Sequence, residues 1–533
     1  MVSAAVALSR VTGLVREIVF ARVFGAGIAN DAFVLGFRIP NLTRDLFAEG
    51  ALSSAFVPTF TRYLTTKGKA EAAHLSNLVA TAQILIVGAV CLLGIIFSPA
   101  LVTLLARKFA EVPGKFELAV SLTRIMFPFL LLVALAAQAM GVLNAVNRFG
   151  IPALASTFFN VGSVLFGLAA GFWVAPHLGL EPIHGMAWGV VLGGALQLFC
   201  QTPSMRKEGF FFRPHLDWSH PGLREVFTLM LPAIVGNAAV QINVMVNTSF
   251  AAGITDEAGR VINGPVSWLN WAFRFMQLPL GLFGVAIGSA TLPAISRSAA
   301  AGQMDEFRAQ LSRSLGLVFL LTVPSSVGLA VLGESIVGAV YQGGRFGPHD
   351  TRQTAVALAC YSVGLAGYSA LKVLAPAFYA LNDSRTPTLV SLVSIAVNYA
   401  AAAALVNVAR LGHAGLALTT SLVALFGFAA LFWRMRSRIG GIHGRALAAS
   451  VAKIGLASAV MGAACAVSSH WLTVRLGTSS WASLADLVLS IPLGLLVFYA
   501  VARAMRVAEL EAAWRALAAP LCRRFGWPRG KLR

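Results

Sequence analysis

Residues 9–58 combine enough apolar side chains to cross a bilayer with nine charged residues. The charged residues are Arg10, Arg16, Glu17, Arg22, Asp31, Arg38, Arg44, Asp45 and Glu49. Charge inside a membrane costs free energy, and it therefore marks a transport pathway or a binding site. Because guanidinium groups keep their charge and fork onto phosphate oxygens, the excess of arginine indicates a phosphate or diphosphate ligand. That group would be attached to a molecule that belongs in a bilayer.

Internal salt bridges are the alternative explanation for part of this set, since residues seven apart share a helix face. The pairs with this spacing are Arg10–Glu17, Asp31–Arg38 and Arg38–Asp45. Arg16 and Arg44 are predicted to lack such a partner, since the adjacent acids Glu17 and Asp45 project about 100° away. Arg274 is predicted to lack one because its apolar segment contains no acidic residue. We expect these three arginines to bind a polyanion.

The composition indicates a polytopic membrane protein. The chain has 533 residues, of which 57% are hydrophobic and 12% are charged, whereas a soluble domain carries about 25% charged residues. The net charge of +20 lies mostly in loops and the C-terminal tail, which the positive-inside rule and anionic lipids explain better than nucleic acid does. No cleaved signal peptide is predicted at Met1.

Fourteen apolar segments are predicted to cross the membrane, each built around a window of about 20 residues. They are 3–24, 30–60, 75–105, 117–146, 151–175, 184–204, 226–252, 263–295, 312–341, 353–381, 387–408, 414–433, 446–471 and 482–502. With the N-terminus inside, the inner loops and tail hold 24 of the 41 Lys and Arg residues and the outer loops hold 8. Both termini are therefore predicted to be cytoplasmic.

Two internal matches indicate a repeat. LNAVNRFGIP at 143–152 resembles LNDSRTP at 381–387, and the segment at 56–85 resembles 291–321. The predicted fold is an all-α polytopic membrane protein, with two six-helix lobes in parallel topology and two extra C-terminal helices. The predicted domains are 1–225 (helices 1–6), 226–445 (helices 7–12), 446–503 (helices 13 and 14) and 504–533 (a basic cytoplasmic tail).

Other candidate sites are weaker. Asn247, Asn398 and Thr419 are candidates for a cation site, although hydrogen bonds between helices are the better explanation for them. The five cysteines show no metal-binding spacing, and no catalytic triad, nucleotide loop or carboxylate pair is present. We therefore expect a transporter without a cofactor. A membrane glycosyltransferase would need a large outer loop, and a drug-cation exporter would need acids in place of arginines. A scaffold or regulatory protein would not need unpaired arginines.

Residues 9–58 resemble the MurJ (MviN) family of bacterial lipid II flippases in the segments SRVTGLVREIVFARVFGAGIANDAF and RIPNLTRDLFAEGALSSAFVP. The resemblance continues through WLNWAFRFMQLPLGLFGVAIGSATLPAIS at 268–296 and LNAVNRFGIP at 143–152. It implies export of lipid II, the undecaprenyl-pyrophosphate-linked peptidoglycan precursor, from the inner to the outer leaflet of the bacterial cytoplasmic membrane by alternating access. It also implies a lipid-tail groove formed by helices 13 and 14.

The resemblance further implies a set of substrate-binding residues, which are Ser9, Arg10, Arg16, Glu17, Asp31, Asn41, Arg44 and Arg274. Lipid II, membrane lipids and cell-wall synthesis proteins are the expected partners of a monomeric chain. Relatives carry acids in a sodium site where this chain has Asn247 and Ala402, which argues against sodium coupling there. The alternatives within the superfamily are a flippase for another polyprenyl-linked glycan and a cation-coupled drug antiporter.

Overall fold

The computed structural model describes residues 2–44, 50–442 and 444–511, and this part of the chain is almost entirely α-helical. Its single pairing of extended backbone is an antiparallel bridge between Thr255 and Val261. The predicted all-α membrane architecture is therefore confirmed. Asp45, Glu49 and most of the predicted tail 504–533 lie outside the described residues.

The chain divides into two compact units. The first comprises residues 1–267 and 344–346, and the second comprises 268–343 and 347–533. The helices of the first unit are α1 (Val2–Phe24), α2 (Ile28–Arg44), α3 (Gly50–Thr66), α4 (Lys69–Ile96), α5 (Ser98–Ala106), α6 (Lys115–Met126), α7 (Phe129–Ala145), α8 (Gly150–Ala169), α9 (Pro182–Phe199), α10 (Thr202–Lys207) and α11 (Pro221–Ala252).

The next helix, α12 (Pro265–Pro279), begins in the last residues of the first unit. The other helices of the second unit are α13 (Ala286–Ala300), α14 (Met304–Val331), α15 (Gly333–Tyr341), α16 (Pro348–Ser362), α17 (Leu365–Ala380), α18 (Arg385–Ala402), α19 (Gly412–Arg438), α20 (Gly444–Leu476) and α21 (Ser480–Ala504). Its core is formed by α13, α14, α17, α19 and α20, and the α20–α21 hairpin packs against α14 and α15.

Ten helices within the described residues are long and apolar enough to cross a bilayer, and the bent pair α16–α17, with 43° between its halves, would make an eleventh. These elements match eleven of the fourteen predicted segments. The other three, 3–24, 30–60 and 226–252, contain charged or amide side chains that lower their hydropathy. The count of fourteen crossings stays a prediction.

Close helix packing fixes the frame of the first unit. On α9, Gly185, Gly189 and Gly193 follow one another at intervals of four, and α8 lies directly against them. A Cβ atom at Gly189 would stand 2.4 Å from the carbonyl oxygen of Ser163. Small residues at this spacing let the backbones of membrane helices approach closely. Helix α8 in turn packs against α1, the helix that carries the first charged residues.

A tight turn connects α1 to α2. Gly25 has a φ angle of +65°, which an L side chain rarely adopts. A Cβ atom there would also stand 2.6 Å from the carbonyl oxygen of Arg345. The backbone N–H of Arg345 donates to the carbonyl of Arg22 at 2.8 Å, which ties residues 344–346 to the end of α1. The exposed side chain of Arg22 agrees with a position near the membrane surface.

The linker between α10 and α11 has no regular secondary structure at 210–217 and is hydrogen-bonded to α4. Its backbone N–H groups at Arg213 and His215 donate to the side-chain oxygens of Asn77 and Thr81, at 3.2 and 3.1 Å. At its end, the Nδ1 atom of His220 accepts from the N–H of Gly222 at 3.2 Å and so caps α11. Side chains of α4 therefore hold the middle of the linker, and the side chain of His220 caps the helix that follows it.

The pKa of His220 gives the linker a predicted response to acid. Burial lowers this pKa below its ordinary value, and the neighbouring His74 lowers it further. Because the unfolded chain then binds more protons than the folded chain, stability is expected to fall as the pH drops through about 6.5. His220→Asn keeps a capping oxygen but does not titrate, and it should flatten that part of the curve of unfolding midpoint against pH. An unchanged curve would contradict this role.

Candidate functional site

Helix α1 presents the first group of predicted site residues. Arg10 is exposed and Ser9 is half-buried. The backbone carbonyl of Ser9 accepts from the Nδ2 atom of Asn160 on α8 at 3.2 Å. A Cβ atom at Gly13 would stand 3.3 Å from the same nitrogen, which shows how closely the two helices approach. The hydrogen bond from Asn160 thus sets the position of α1 relative to α8.

Arg16 is the most enclosed cation of α1. Its side chain is 15% exposed, and its Nη2 atom donates to Oε1 of Glu17 at 2.9 Å. Its guanidinium carbon lies 5.3 Å from the ring centroid of Phe159, within range of a cation–π contact. The prediction that Arg16 lacks a carboxylate partner is wrong, because two long side chains can bridge the 100° between neighbouring helix positions.

The residues of α2 make contacts that their spacing did not predict. Arg38 donates to Oγ1 of Thr248 on α11 at 2.8 Å, while Asp31, one of its two predicted partners, pairs with a lysine. Asn41 and Arg44 are half-buried near the end of α2. Arg44 has an interaction partner in the structure.

The remaining predicted residues lie further along the chain. Arg274 is exposed on α12, and it has an interaction partner in the structure. Asn247 lies on α11 in the first unit. In the second unit, Asn398 on α18 and Thr419 on α19 are buried, and Thr419 donates to the carbonyl of Gly415 in its own helix at 3.0 Å. Among the described residues, no three His, Cys, Asp or Glu side chains are grouped as metal ligands.

Asp31 forms a buried ion pair that the sequence did not reveal. Its carboxylate and the ammonium of Lys115, at the start of α6, are 2.9 Å apart, and both side chains are 1% exposed. Lys115 also donates to Oδ1 of Asn263 at 2.9 Å, and its Nζ atom lies 4.2 Å from the ring centroid of Phe109. In the sequence, Lys115 directly follows a helix-capping glycine at the edge of an apolar segment, a position that does not indicate Asp31 as its partner.

The same carboxylate holds the beginning of α12. It accepts the backbone N–H groups of Gly264 and Ser267 at 2.8 and 3.0 Å, and the hydroxyl of Ser267 at 2.6 Å. Asn30, the neighbour of Asp31, donates to that hydroxyl at 2.8 Å. A negative charge at a helix N-terminus is stabilised by the helix dipole. With the bond from Lys115, four donors fill the four acceptor positions of the carboxylate.

The fold resembles those of known membrane transporters. A structure of the lipid II flippase MurJ in an inward closed conformation matches 95% of this chain and 99% of its own, with a TM-score of 0.74 and 24% identity. An inward-facing multidrug resistance MATE family transporter of the MOP superfamily matches 83% of this chain and 95% of its own, with a TM-score of 0.66 and 14% identity. The chain therefore has the fold of a polytopic transporter.

Sequence comparison narrows this class to one family. The family model described as lipid II flippase MurJ matches residues 20–485. The lipid II flippase MurJ of Burkholderia cenocepacia is 35% identical over 481 residues, which cover 88% of this chain and 89% of that protein. The chain belongs to the lipid II flippase MurJ family.

Proposed function

We propose that this protein flips lipid II from the inner to the outer leaflet of the bacterial cytoplasmic membrane, as a transporter for peptidoglycan synthesis rather than as an enzyme. The observation that carries the proposal is the family match across residues 20–485. The drug antiporter and the flippase for another glycan have no comparable support, because likeness to the multidrug transporter at 14% identity concerns the fold alone.

The proposal includes fourteen membrane crossings with both termini cytoplasmic, arranged as two parallel six-helix halves and an additional pair of helices. Two features of corresponding helices support the repeat. Helix α8 continues into a π-helical turn at Ala170–Val174, and α18 continues into one at Ala403–Val408. Both helices also carry a buried asparagine, Asn160 and Asn398. In this scheme the prenyl tail lies along α20 and α21, and access alternates between the two sides.

We assign the diphosphate to guanidinium groups, with Arg16 as the main ligand. Its side chain is 15% exposed, so its charge acts in surroundings of lower dielectric than water. Glu17 neutralises Arg16 in this arrangement, and the planar guanidinium has five donors, so donors remain for phosphate oxygens. Arg10 and Arg44 are the further ligands that we propose in the first unit. Ser9 and Asn41 would be their neutral neighbours. Arg274 stays a fourth predicted ligand of the diphosphate.

Asp31 has a different part in this scheme. Its four acceptor positions are filled, and its negative charge would repel a phosphate. We therefore propose that it positions α2 and α12 through Lys115, Gly264 and Ser267 and does not touch the substrate. Mutation of Asp31 would then lower the stability of the packing around α2 and α12, and any effect on substrate binding would follow from that loss.

The test is reconstitution of the purified chain into vesicles that contain labelled lipid II on one leaflet. Time-dependent arrival of lipid II on the other leaflet, above the rate in vesicles without protein, is the expected result. Equal rates in the two preparations would refute the proposed function. Efficient transport of a polyprenyl diphosphate carrying an unrelated glycan, without transport of lipid II, would favour the alternative substrate.

A further inference from the structure

Helix α21 carries one acidic residue, Asp486, inside a segment that is apolar enough to cross the membrane. Its side chain is only 2% exposed. Every hydrogen bond recorded for its carboxylate comes from a serine. The hydroxyl of Ser490 donates to Oδ1 at 2.6 Å, while Ser469 on α20, at 2.6 Å, and Ser335 on α15 donate to Oδ2.

The other buried acid described above shows what internal neutralisation looks like in this protein. Asp31 has an ammonium group at 2.9 Å and two backbone N–H groups. Asp486 has no ion pair with any residue that the structure describes. Hydroxyl donors satisfy the oxygens of this carboxylate, yet an ion taken out of water without a counter-charge is penalised. An intramembrane acid in this position calls for a positive partner.

A cavity connects this carboxylate with the surroundings. It has a volume of about 400 Å³ and lies beside the turn that joins α20 to α21. Asp486, Ser335 and Ser469 line it, together with Thr473 and Thr478 nearer the turn. The charged side chains of Glu334 and Arg352 and the imidazole of His349 also line the cavity, but none of them has a recorded bond to Asp486. The count of basic residues in the loops predicts that this turn lies at the outer face of the membrane. A small ion could therefore reach the carboxylate from outside without crossing the apolar part of the helices.

We propose that Asp486 and its serine hydroxyls form a binding site for a monovalent metal cation of the sodium type. A hydroxyl that donates one hydrogen bond keeps lone pairs on its oxygen. The oxygens of Ser335, Ser469 and Ser490 can therefore coordinate an ion that the carboxylate neutralises. Ser490 also lies 2.9 Å from the hydroxyl of Ser468, which adds a fifth residue to this oxygen-rich surrounding.

The donor set also selects the type of ion. Hard cations prefer oxygen ligands, and the affinity for divalent ions rises with the number of charged ligands. Among the candidate ligands, Asp486 supplies a single negative charge and the others are neutral hydroxyls. Because Glu334 and Arg352, which also line the cavity, carry opposite formal charges, a monovalent ion matches the charge of the site. The site does not depend on the proposed lipid II transport, because its test measures sodium binding alone and needs no lipid substrate.

The test compares the purified chain in sodium chloride with the chain in choline chloride at equal ionic strength. An ion that binds only the folded state raises the unfolding midpoint as its concentration increases. We expect sodium to raise the midpoint of the wild type, and equilibrium binding of radioactive sodium to saturate at about one ion per chain. Asp486→Asn, which preserves shape, is expected to lose both effects. Asp305→Asn removes an acid with a 98% exposed side chain in the same unit, and it should retain both.

Several results would overturn the proposal. They are equal midpoints in the two salts and a sodium effect that survives in Asp486→Asn. If the surviving effect is then lost in Asn398→Ala, sodium binds at Asn398 instead. A midpoint that responds to pH but not to sodium would show that Asp486 takes a proton instead. If Asp486→Asn does not fold, Ser469→Ala keeps the carboxylate and removes one ligand oxygen. It should weaken sodium binding at least tenfold, and unchanged affinity would contradict the site.

Discussion

Arg16→Gln is expected to bind lipid II roughly 100-fold more weakly than the wild type. This estimate assigns about 3 kcal/mol to the loss of two charge-assisted hydrogen bonds to phosphate oxygens. The side chain of Arg16 is 15% exposed, so water can replace its donors only in part. At a substrate concentration below saturation, the rate of lipid II transport in vesicles should fall by a similar factor, while the amount of folded protein stays close to that of the wild type.

The same helix supplies a matched control. Arg22 lies on α1 and is exposed, so Arg22→Gln removes an identical charge from a position that we place near the membrane surface. It should transport lipid II at the wild-type rate. Glu17→Gln frees Arg16 from its resident carboxylate, and it is expected to keep or strengthen substrate binding. Wild-type transport by well-folded Arg16→Gln would remove Arg16 from the site.

Lys115→Met is expected to destabilise the protein by about 3–5 kcal/mol, because it leaves Asp31 as a buried charge without a counter-ion. Both side chains are 1% exposed, so water cannot enter to solvate the carboxylate without local rearrangement. The start of α12 is anchored to the same carboxylate through Gly264 and Ser267. The loss should therefore appear as a lower unfolding midpoint of the whole chain in detergent.

The double variant Lys115→Met/Asp31→Asn separates this charge effect from a loss of packing. It removes both ions, and replacing a buried ion pair by neutral groups is often far less harmful than breaking it. We expect the double variant to be more stable than Lys115→Met alone. A double variant as unstable as the sum of its two single variants would show that the ion pair itself is not the origin of the effect.

Hydropathy predicted the apolar helices well because each of them is a local property of about 20 residues. Eleven predicted segments reappear among the candidate spans of the structure. The segments that do not are those in which polar residues interrupt the apolar pattern, including α1 with Arg10, Arg16 and Glu17. A functional site inside a membrane thus weakens the same signal that reveals the surrounding helices.

Partners of charged side chains could be predicted much less well. Helix spacing placed Glu17 away from Arg16, but the length and flexibility of both side chains allow a 2.9 Å contact. The partner of Asp31 could not be deduced from periodicity, because Lys115 is 84 residues away and was assigned to an outer loop. Contacts of this kind depend on tertiary packing, which the spacing within one helix does not contain.

Asp486 is a different case, since its signal was present in the sequence. It is the one acid in an apolar segment of α21, and an ionisable residue inside a membrane is a functional candidate by default. Its serine neighbours come from three separate helices, and only the structure brings them together. The sequence therefore indicated the residue, while the chemistry of its surroundings required coordinates.

Recognition of a diphosphate by guanidinium groups of the first unit can be measured as a difference in affinity. The equilibrium affinity of the purified chain for undecaprenyl diphosphate is compared with its affinity for undecaprenyl monophosphate, in the wild type and in Arg16→Gln. We expect the wild type to bind the diphosphate more tightly, and we expect a much smaller difference in Arg16→Gln. Equal affinities in the wild type, or a preference that Arg16→Gln leaves unchanged, would contradict it.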